Sequence, residues 1–441
     1  MENKLAFAKD LIKSSSVPDL TVDLDNTPID SENFDEYRKL LEVQLPLLFD
    51  FIHQNEELLL AKDYNEDVLE IKGRLLMLTT EITAHNTMYK IRNEQFLRVF
   101  DEFIEKNFYK ILDKEVEEYV LKHYTQYLKA DVWKRHIGTV HGFGRFLELK
   151  VSNGCKLPIK WVNFSLSVGL TLRECHLPVY KELSTSIFQT IISHSDSKEI
   201  KELNIPEVIF EAVLKSVRTV DSVDGTNDIW KCLCDCLDFK DDIDSYEWDM
   251  TDEMMENLLG SLKNSSNNDV VICLLSFIPK IINRFTLNRK EIEEFLARDY
   301  DSLSGKDFQQ FRLECSKINS CAPHRWALYI LKLFLAESHK FLGSVTICEK
   351  MLQRFHICYL TCLYSISVEI MNINLLKFFE KFSTILMEAI AAQKETPRIR
   401  ELVQQIYQTF VCHLEASGLE GVLKDFQPYH KAFKQFIDEP F

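Results

Sequence analysis

The stretch from Leu128 to His194, LKADVWKRHIGTVHGFGRFLELKVSNGCKLPIKWVNFSLSVGLTLRECHLPVYKELSTSIFQTIISH, decides the fold. It begins in helical sequence and is interrupted by Gly138, Gly142 and Gly144. A glycine inside a helix costs about 1 kcal/mol relative to alanine. Three of them in so short a span predict either a bend or a helix packed closely on its neighbours through a small-residue surface. Ser152, Asn153 and Gly154 end the element, and Pro158 holds back the next one. Pro178 then opens an amphipathic helix, at a first position where its missing N–H goes unused in any case. Tyr180, Leu183, Ile187, Phe188 and Ile191 form the apolar stripe of that helix.

Downstream the pattern becomes regular. Pro206 opens a helix with Ile209, Ala212, Val213 and Val217 inward. Thr226 or Asn227 is expected to cap the next, which carries Ile229, Trp230, Leu233 and Leu237. Another follows Thr251, with Met254, Met255, Leu258 and Leu262. Asn268 or Asp269 is expected to cap a fifth, with Val271, Leu274, Leu275, Ile278 and Ile281, kinked at Pro279. Taken in pairs, the first helices begin near 178, 226 and 268. Those starts are roughly 40–48 residues apart, the spacing of HEAT or armadillo helix pairs. Each pair leaves an apolar face that only a neighbouring pair can bury, so pairs stack. The expected fold class is all-α, a HEAT/armadillo-like α-solenoid of antiparallel helix pairs, with an irregular helical bundle as the alternative. Further helices are expected over 325–342, 346–372, 374–392 and 397–416, with a short element over 429–437. Loops are expected at 299–305 and 319–323, and Gly418 and Gly421 punctuate the last turn.

Upstream, residues 1–12 predict a short helix with Leu5, Ala8 and Ile12 grouped and Phe7 and Leu11 beside them. Residues 14–33 bring four serines, Pro18, Pro28 and acidic side chains, the composition of a linker. Helical periodicity then places Phe34, Tyr37, Leu41, Leu45 and Leu48 on one face, with Pro46 as a kink. A second helix is expected over 66–84, a third with Phe96, Phe100, Phe103 and Ile104, and a fourth with Val116, Tyr119, Val120, His123, Tyr124 and Tyr127. No segment alternates as a half-buried strand does. The expected organisation is a mobile N-terminal arm over 1–33, an N-terminal helical region over 34–150, and a HEAT-like helix-pair stack over 151–441.

Composition narrows the function classes. The chain has 441 residues, 46% of them hydrophobic, with 12 glycines, 11 prolines and 30 phenylalanines. Such a chain makes long elements and large aromatic interfaces. Its formal net charge of −16 repels a phosphate backbone, so no nucleic-acid partner is expected. The 12 cysteines sit behind an N-terminus without a secretion signal, which predicts buried thiols in a reducing compartment. The weakly charged apolar run over 355–368 is too short to span a bilayer. A soluble intracellular protein is expected, cytoplasmic with access to the nucleus and without a membrane partner.

No motif names a reaction. Cys232, Cys234 and Cys236 are the densest cysteine cluster, but on a helix three such side chains cannot converge on one metal, and buried thiols are expected. Cys348, His356, Cys358 and Cys362 lie among apolar residues and read as core. The glycines at 138–144 lack the Gly-Lys-Ser/Thr of a phosphate loop. The acidic run over 235–253 lacks the mid-loop glycine and closing glutamate of a calcium loop and reads as a solvated connection or a docking segment. No catalytic residue, cofactor site or metal site is expected, and the protein is not expected to be an enzyme. The candidate site is instead a partner surface in the locally basic stretch, at Trp133, Arg135, Phe143 and Arg145, since arginine and aromatic residues are favoured interface anchors.

The run Leu128-Lys-Ala-Asp-Val-Trp-Lys followed by His141-Gly-Phe-Gly-Arg-Phe resembles a segment of the Tel-two-interacting protein two (Tti-two) family. So does Phe164-Ser-Leu-Ser-Val-Gly-Leu leading into Tyr180-Lys-Glu-Leu-Ser-Thr-Ser-Ile-Phe. Ala130 stands where the family has proline, and the turn over 171–174 is less acidic than the family's. The resemblance covers about 70 residues and implies a non-enzymatic HEAT-like scaffold or adaptor subunit of the TTT complex. That co-chaperone complex supports maturation and stability of phosphatidylinositol-3-kinase-related kinases. The implied partner is a large helical-repeat protein, a Tti-one-like subunit, in a hetero-oligomer. A Tel-two-like subunit, the Hsp-ninety and R-two-T-P chaperones and the kinases are implied as indirect partners. The alternative is a helical-repeat tether or transport-type subunit at membranes or the nuclear pore.

Overall fold

The computed structural model describes residues 2–22, 24–62, 64–85, 87–91, 93–130, 132–217, 222–240, 248–283, 294–308, 310, 326, 329–330, 333, 345–365 and 397–416. Among these residues every regular element is helical. The chain groups into two compact units, Met1–Ala212 and Val213–Phe441.

The first unit begins with α1, Glu2–Ser15, and a 3-10 turn, Ser31–Phe34. It continues with α2 (Asp35–Gln54), α3 (Glu56–Leu60), α4 (Glu66–Thr83), α5 (Glu94–Ile111) and α6 (Lys114–Tyr127). A second 3-10 turn, Trp133–Arg135, leads to α7 (Ile137–Val151), α8 (Ile159–Arg173), α9 (Pro178–His194), α10 (Ser197–Glu202) and α11 (Ile205–Leu214). Side-chain caps set the starts. Asn65 accepts from the Val68 N–H, Asn93 from Phe96, and Asp113 from Glu115 and Val116. Each satisfies an N–H that the first turn leaves without a helical partner.

α4 is the hub of this unit, with α1, α5, α6 and α7 packed around it. Its sequence EDVLEIKGRLLMLTTEIT is buried on all sides over most of its length, Thr79, Thr80 and Thr83 included. Those hydroxyls bond back to carbonyls of their own helix, which removes the cost of burying them. α8 and α9 form an antiparallel pair across a short connection.

α7 runs unbroken through Gly138, Gly142 and Gly144. Of the two expectations, close packing is the one realised. A Cβ at Gly138 would stand 2.5 Å from Val17 Cβ, and one at Gly144 2.5 Å from Leu183 Cδ1. Gly154, at φ 71°, ends the element in the left-handed region that favours glycine.

The residues after α1 do not form a helix, but they are tied to the body of the unit. The Leu20 N–H bonds the Arg135 carbonyl at 2.8 Å, Asp19 meets His136 Nδ1 at 2.6 Å, Lys134 pairs with Asp25, and Leu24 is buried.

The second unit contains α12 (Val223–Leu237), α13 (Met250–Asn264), α14 (Asn268–Leu275), α15 (Phe277–Asn283), α16 (Val345–Ser365) and α17 (Pro397–Ala416). α12 packs on α13, α14 and α15, while α16 packs on α14, α15 and α17. Caps fall slightly earlier than expected, at Ser222 rather than Thr226 or Asn227 and at Asn267 rather than Asn268 or Asp269, while Asp249 caps α13, which begins at Met250, one residue before Thr251. Asp249 forms a reciprocal capping box with Asp252. The break that Pro279 demands falls at Ser276, between α14 and α15, since proline has no N–H to continue the helical bonding. α9, α12 and α14 start at 178, 223 and 268, each 45 residues after the last. The architecture is a HEAT/armadillo-like arrangement of helix pairs. Of the expected 325–342 helix only 326, 329, 330 and 333 are described, all helical. The expectations for 319–323, 374–392, 418–421 and 429–437 lie outside the described residues.

Candidate functional site

The stretch 128–194 folds as the 3-10 turn and α7 to α9, and its aromatic residues face inward. Trp133 is buried, with its ring edge-on to Tyr180 at 4.8 Å. Phe143 is buried between Tyr124 (5.1 Å) and Phe164 (5.4 Å). Phe146 stacks on Trp161 at 5.2 Å. Trp161 donates its indole N–H to Glu117, which Lys150 also meets at 2.9 Å.

Arg145 is enclosed by three carboxylates, Asp101 at 2.7 Å, Glu105 at 3.0 Å and Glu148 at 3.2 Å. Burial lowers its proton affinity, but the bonds to the acids outweigh that and raise it. Of the four residues singled out by sequence, Arg135 alone has its side chain exposed. Trp133 and Phe143 are held in the core and Arg145 by its three acids, each against different partners.

The contact between α4 and α7 holds a strongly perturbed carboxyl. Glu81 is buried, and its Oε1 accepts from the Thr139 hydroxyl at 3.1 Å. Desolvation pushes the carboxyl up to about 7, against the Thr139 bond, which favours the ionised form. A cavity of about 730 Å3 opens beside it, bounded by residues 12–19 and by α4, α6 and α7. Arg74, His123 and His136 line this cavity, but each is matched within the fold. Arg74 pairs with Glu70 at 2.7 Å, His136 with Asp19 at 2.6 Å, and the His123 ring packs 4.4 Å from Tyr127. Burial pushes His123 down to about 4, helped by the neighbouring Arg74 and His136. The cavity has no single-sign charge to recognise a ligand by.

In the second unit Cys232, Cys236, Cys348, Cys358 and His356 are buried. Cys232 and Cys236 are buried beside Trp230 and Leu233 on α12, and the bond to Cys232 holds the Cys236 thiol well above its ordinary value. Cys348 and Cys358 are buried on α16, and Cys358 Sγ donates to the Leu275 carbonyl at 3.1 Å. His356 Nδ1 meets the Tyr300 hydroxyl at 2.7 Å, and burial pushes this imidazole down to about 3. Cys362 lies outside the residues whose side chains are described. Among the described residues no group of three or more His, Cys, Asp or Glu side chains is placed to hold a metal ion.

The acidic run also has a structural component. Asp249 caps α13, and the buried Asp252 accepts the Trp326 indole N–H at 2.6 Å. Residues 241–247 of that run lie outside the described residues. Among the described residues no helix is long and apolar enough to cross a membrane.

On α2, Leu40, Val43 and Leu47 are exposed while Tyr37, Leu41, Leu45, Leu48 and Ile52 are buried. Sequence periodicity finds the buried set and passes over the exposed one. The signal was present in the alternating four- and three-residue spacing from Glu36 to Asp50.

No protein-family model and no curated protein matches the chain. Solved structures match at low identity. Kap95p, in a structure concerning its binding to RanGDP, aligns at 13% identity and a TM-score of 0.43, covering 98% of this chain and 49% of that one. Yeast importin-beta (Kap95p) aligns at 15% identity and a TM-score of 0.34, covering 94% and 48%. A circular tandem repeat protein aligns at 12% identity and a TM-score of 0.25, covering 99% and 96%. The chain spans about half the length of the importin-beta chains.

Proposed function

We propose that this protein is a scaffold or adaptor subunit of a TTT-type co-chaperone complex and acts without chemistry of its own. The observation that carries the reading is the coincidence of the family-like motifs with one packed framework. Of the residues resembling the Tti-two family, 133–134 lie in the 3-10 turn, 141–146 in α7, 164–170 in α8 and 180–188 in α9. Trp133, Phe143, Phe146, Phe164 and Tyr180 make aromatic contacts within that framework. The shared pattern is therefore one of helix packing, which is what a scaffold has to preserve. Helix starts at 45-residue intervals, for α9, α12 and α14, support the same reading, since stacked helices of that period present extended faces to other chains.

In this role the chain binds a large helical-repeat subunit of the Tti-one type. Through it the chain meets a Tel-two-like subunit and the chaperones that mature phosphatidylinositol-3-kinase-related kinases, in the cytoplasm and in the nucleus. The mechanism is burial of complementary surface in a stable hetero-oligomer. Co-expression with the Tti-one-like protein tests it. The expected result is a stoichiometric complex that raises the yield of soluble protein from both chains. A chain that purifies as a monomer and leaves the partner unchanged contradicts it.

A further inference from the structure

α2 carries two apolar faces. The inner one, Tyr37, Leu41, Leu45, Leu48 and Ile52, is buried in the first unit. The outer one runs Glu36, Leu40, Val43, Leu47 and Asp50, at alternating intervals of four and three residues. Leu40, Val43 and Leu47 are 46%, 67% and 47% exposed. Glu36 and Asp50 are exposed as well. On a helix that spacing draws one straight seam, as in the contact line of a coiled coil. It lies nearly opposite the buried face and is about 21 Å long at 1.5 Å per residue.

A surface helix ordinarily places charged and polar residues away from the core. Here the centre of the outer face is apolar and both ends are acidic. We propose that this seam docks an amphipathic helix of a partner chain. The partner helix presents apolar residues at matching four-three spacing and a basic residue beyond each end of its apolar stripe. The inference rests on the adaptor reading above and assigns that adaptor its contact surface.

Charge selects the occupant. A second copy of α2 would set acid against acid in either direction. Parallel, Glu36 faces Glu36 and Asp50 faces Asp50. Antiparallel, Glu36 faces Asp50. A net charge of −16 adds long-range repulsion between copies. A helix with basic ends gains at both positions, and apolar contact at Leu40, Val43 and Leu47 supplies most of the affinity.

The test is a binding titration of the full chain against the purified large helical-repeat subunit, at low and high salt. Folding of each variant is checked by its melting curve, which substitutions at exposed positions leave unchanged. The Leu40→Lys/Leu47→Lys variant is expected to lose affinity by about tenfold or more. The Glu36→Lys/Asp50→Lys variant is expected to bind more weakly at low salt and to lose the salt dependence of the unaltered chain. If the unaltered chain binds and both variants bind equally well, the seam is not the contact, while the adaptor reading stands. If the unaltered chain does not bind, both fall. If the chain alone sediments as a dimer that Leu40→Lys/Leu47→Lys dissolves, the seam belongs to a second copy and the inference is overturned.

Discussion

Gly142 of α7 lies so close to Glu81 of α4 that a Cβ on the glycine would stand 2.7 Å from Glu81 Cγ and 3.2 Å from its backbone nitrogen. The backbone of a buried helix cannot retreat by the distance a methyl needs. Gly142→Ala gains about 1 kcal/mol of helix propensity and loses about 1–3 kcal/mol to overpacking. The expected outcome is a net loss of stability. Gly144→Ala is the control, because the nearest atom there is the end of the half-buried Leu183 side chain. It is expected to be neutral or mildly stabilising. Denaturant unfolding of both variants checks the contrast, and equal stability of Gly142→Ala and the natural chain would contradict the close contact of α4 and α7.

Glu81 makes stability depend on pH near neutrality. The folded carboxyl keeps its proton up to about 7, against an ordinary value of 4.5. Between those values the folded chain binds more protons than the unfolded one, so this group's contribution falls as pH rises. Below the window it costs nothing, and above about 7 the cost is fully present, on the order of 3 kcal/mol. Glu81→Gln keeps the shape and the acceptor for Thr139 but cannot ionise. Its stability relative to the natural chain is expected to grow from pH 5 to pH 8 and then level off. A difference that stays constant across that range would contradict the buried, reluctantly ionised carboxyl.

His141 acts in the opposite direction. Burial pushes it down to about 4, between the rings of Tyr89 and Tyr180 at 6.1 Å and 5.6 Å. The neutral imidazole is the folded form, so its contribution is intact above the ordinary value of 6.5 and is lost as pH falls toward 4. The loss amounts to about 3 kcal/mol. His141→Phe retains the ring contacts and is expected to move the acid unfolding of the first unit to lower pH, read by near-ultraviolet circular dichroism. An unchanged acid midpoint would show that this imidazole does not set it.

Trp326 and Asp252 are joined by a 2.6 Å bond from the indole N–H to a carboxylate that is buried and also completes the α13 cap. Trp326→Phe keeps most of the apolar volume and removes the donor. A buried acceptor deprived of its donor costs about 1–3 kcal/mol. The second unit is expected to melt earlier by a corresponding amount, measured by calorimetry, with the first unit's transition unmoved.

Much of the helix plan was legible in sequence, because amphipathic period and capping chemistry are local. The 66–84 expectation became Glu66–Thr83, and 397–416 became Pro397–Ala416. Pro178 opens its helix as expected. The glycines of α7 were not decidable, since bend or close contact depends on Val17, Glu81 and Leu183, which lie far away in the chain. The same limit applies to Arg145, whose partners Asp101 and Glu105 sit on α5. Nothing local distinguishes an arginine that anchors a partner from one held by its own fold. The seam on α2 was hidden in LLEVQLPLL, where two apolar faces interleave and the better-formed one masks the other.

As the proposed adaptor, this chain would support the making of phosphatidylinositol-3-kinase-related kinases without acting on them chemically. The most direct measurement is acute depletion of the protein in cells, with pulse labelling of newly made phosphatidylinositol-3-kinase-related kinases. The expected result is unchanged transcripts and synthesis with new polypeptides that fail to accumulate, and no rescue by the Leu40→Lys/Leu47→Lys form. Normal accumulation of those kinases in the depleted cells would contradict it.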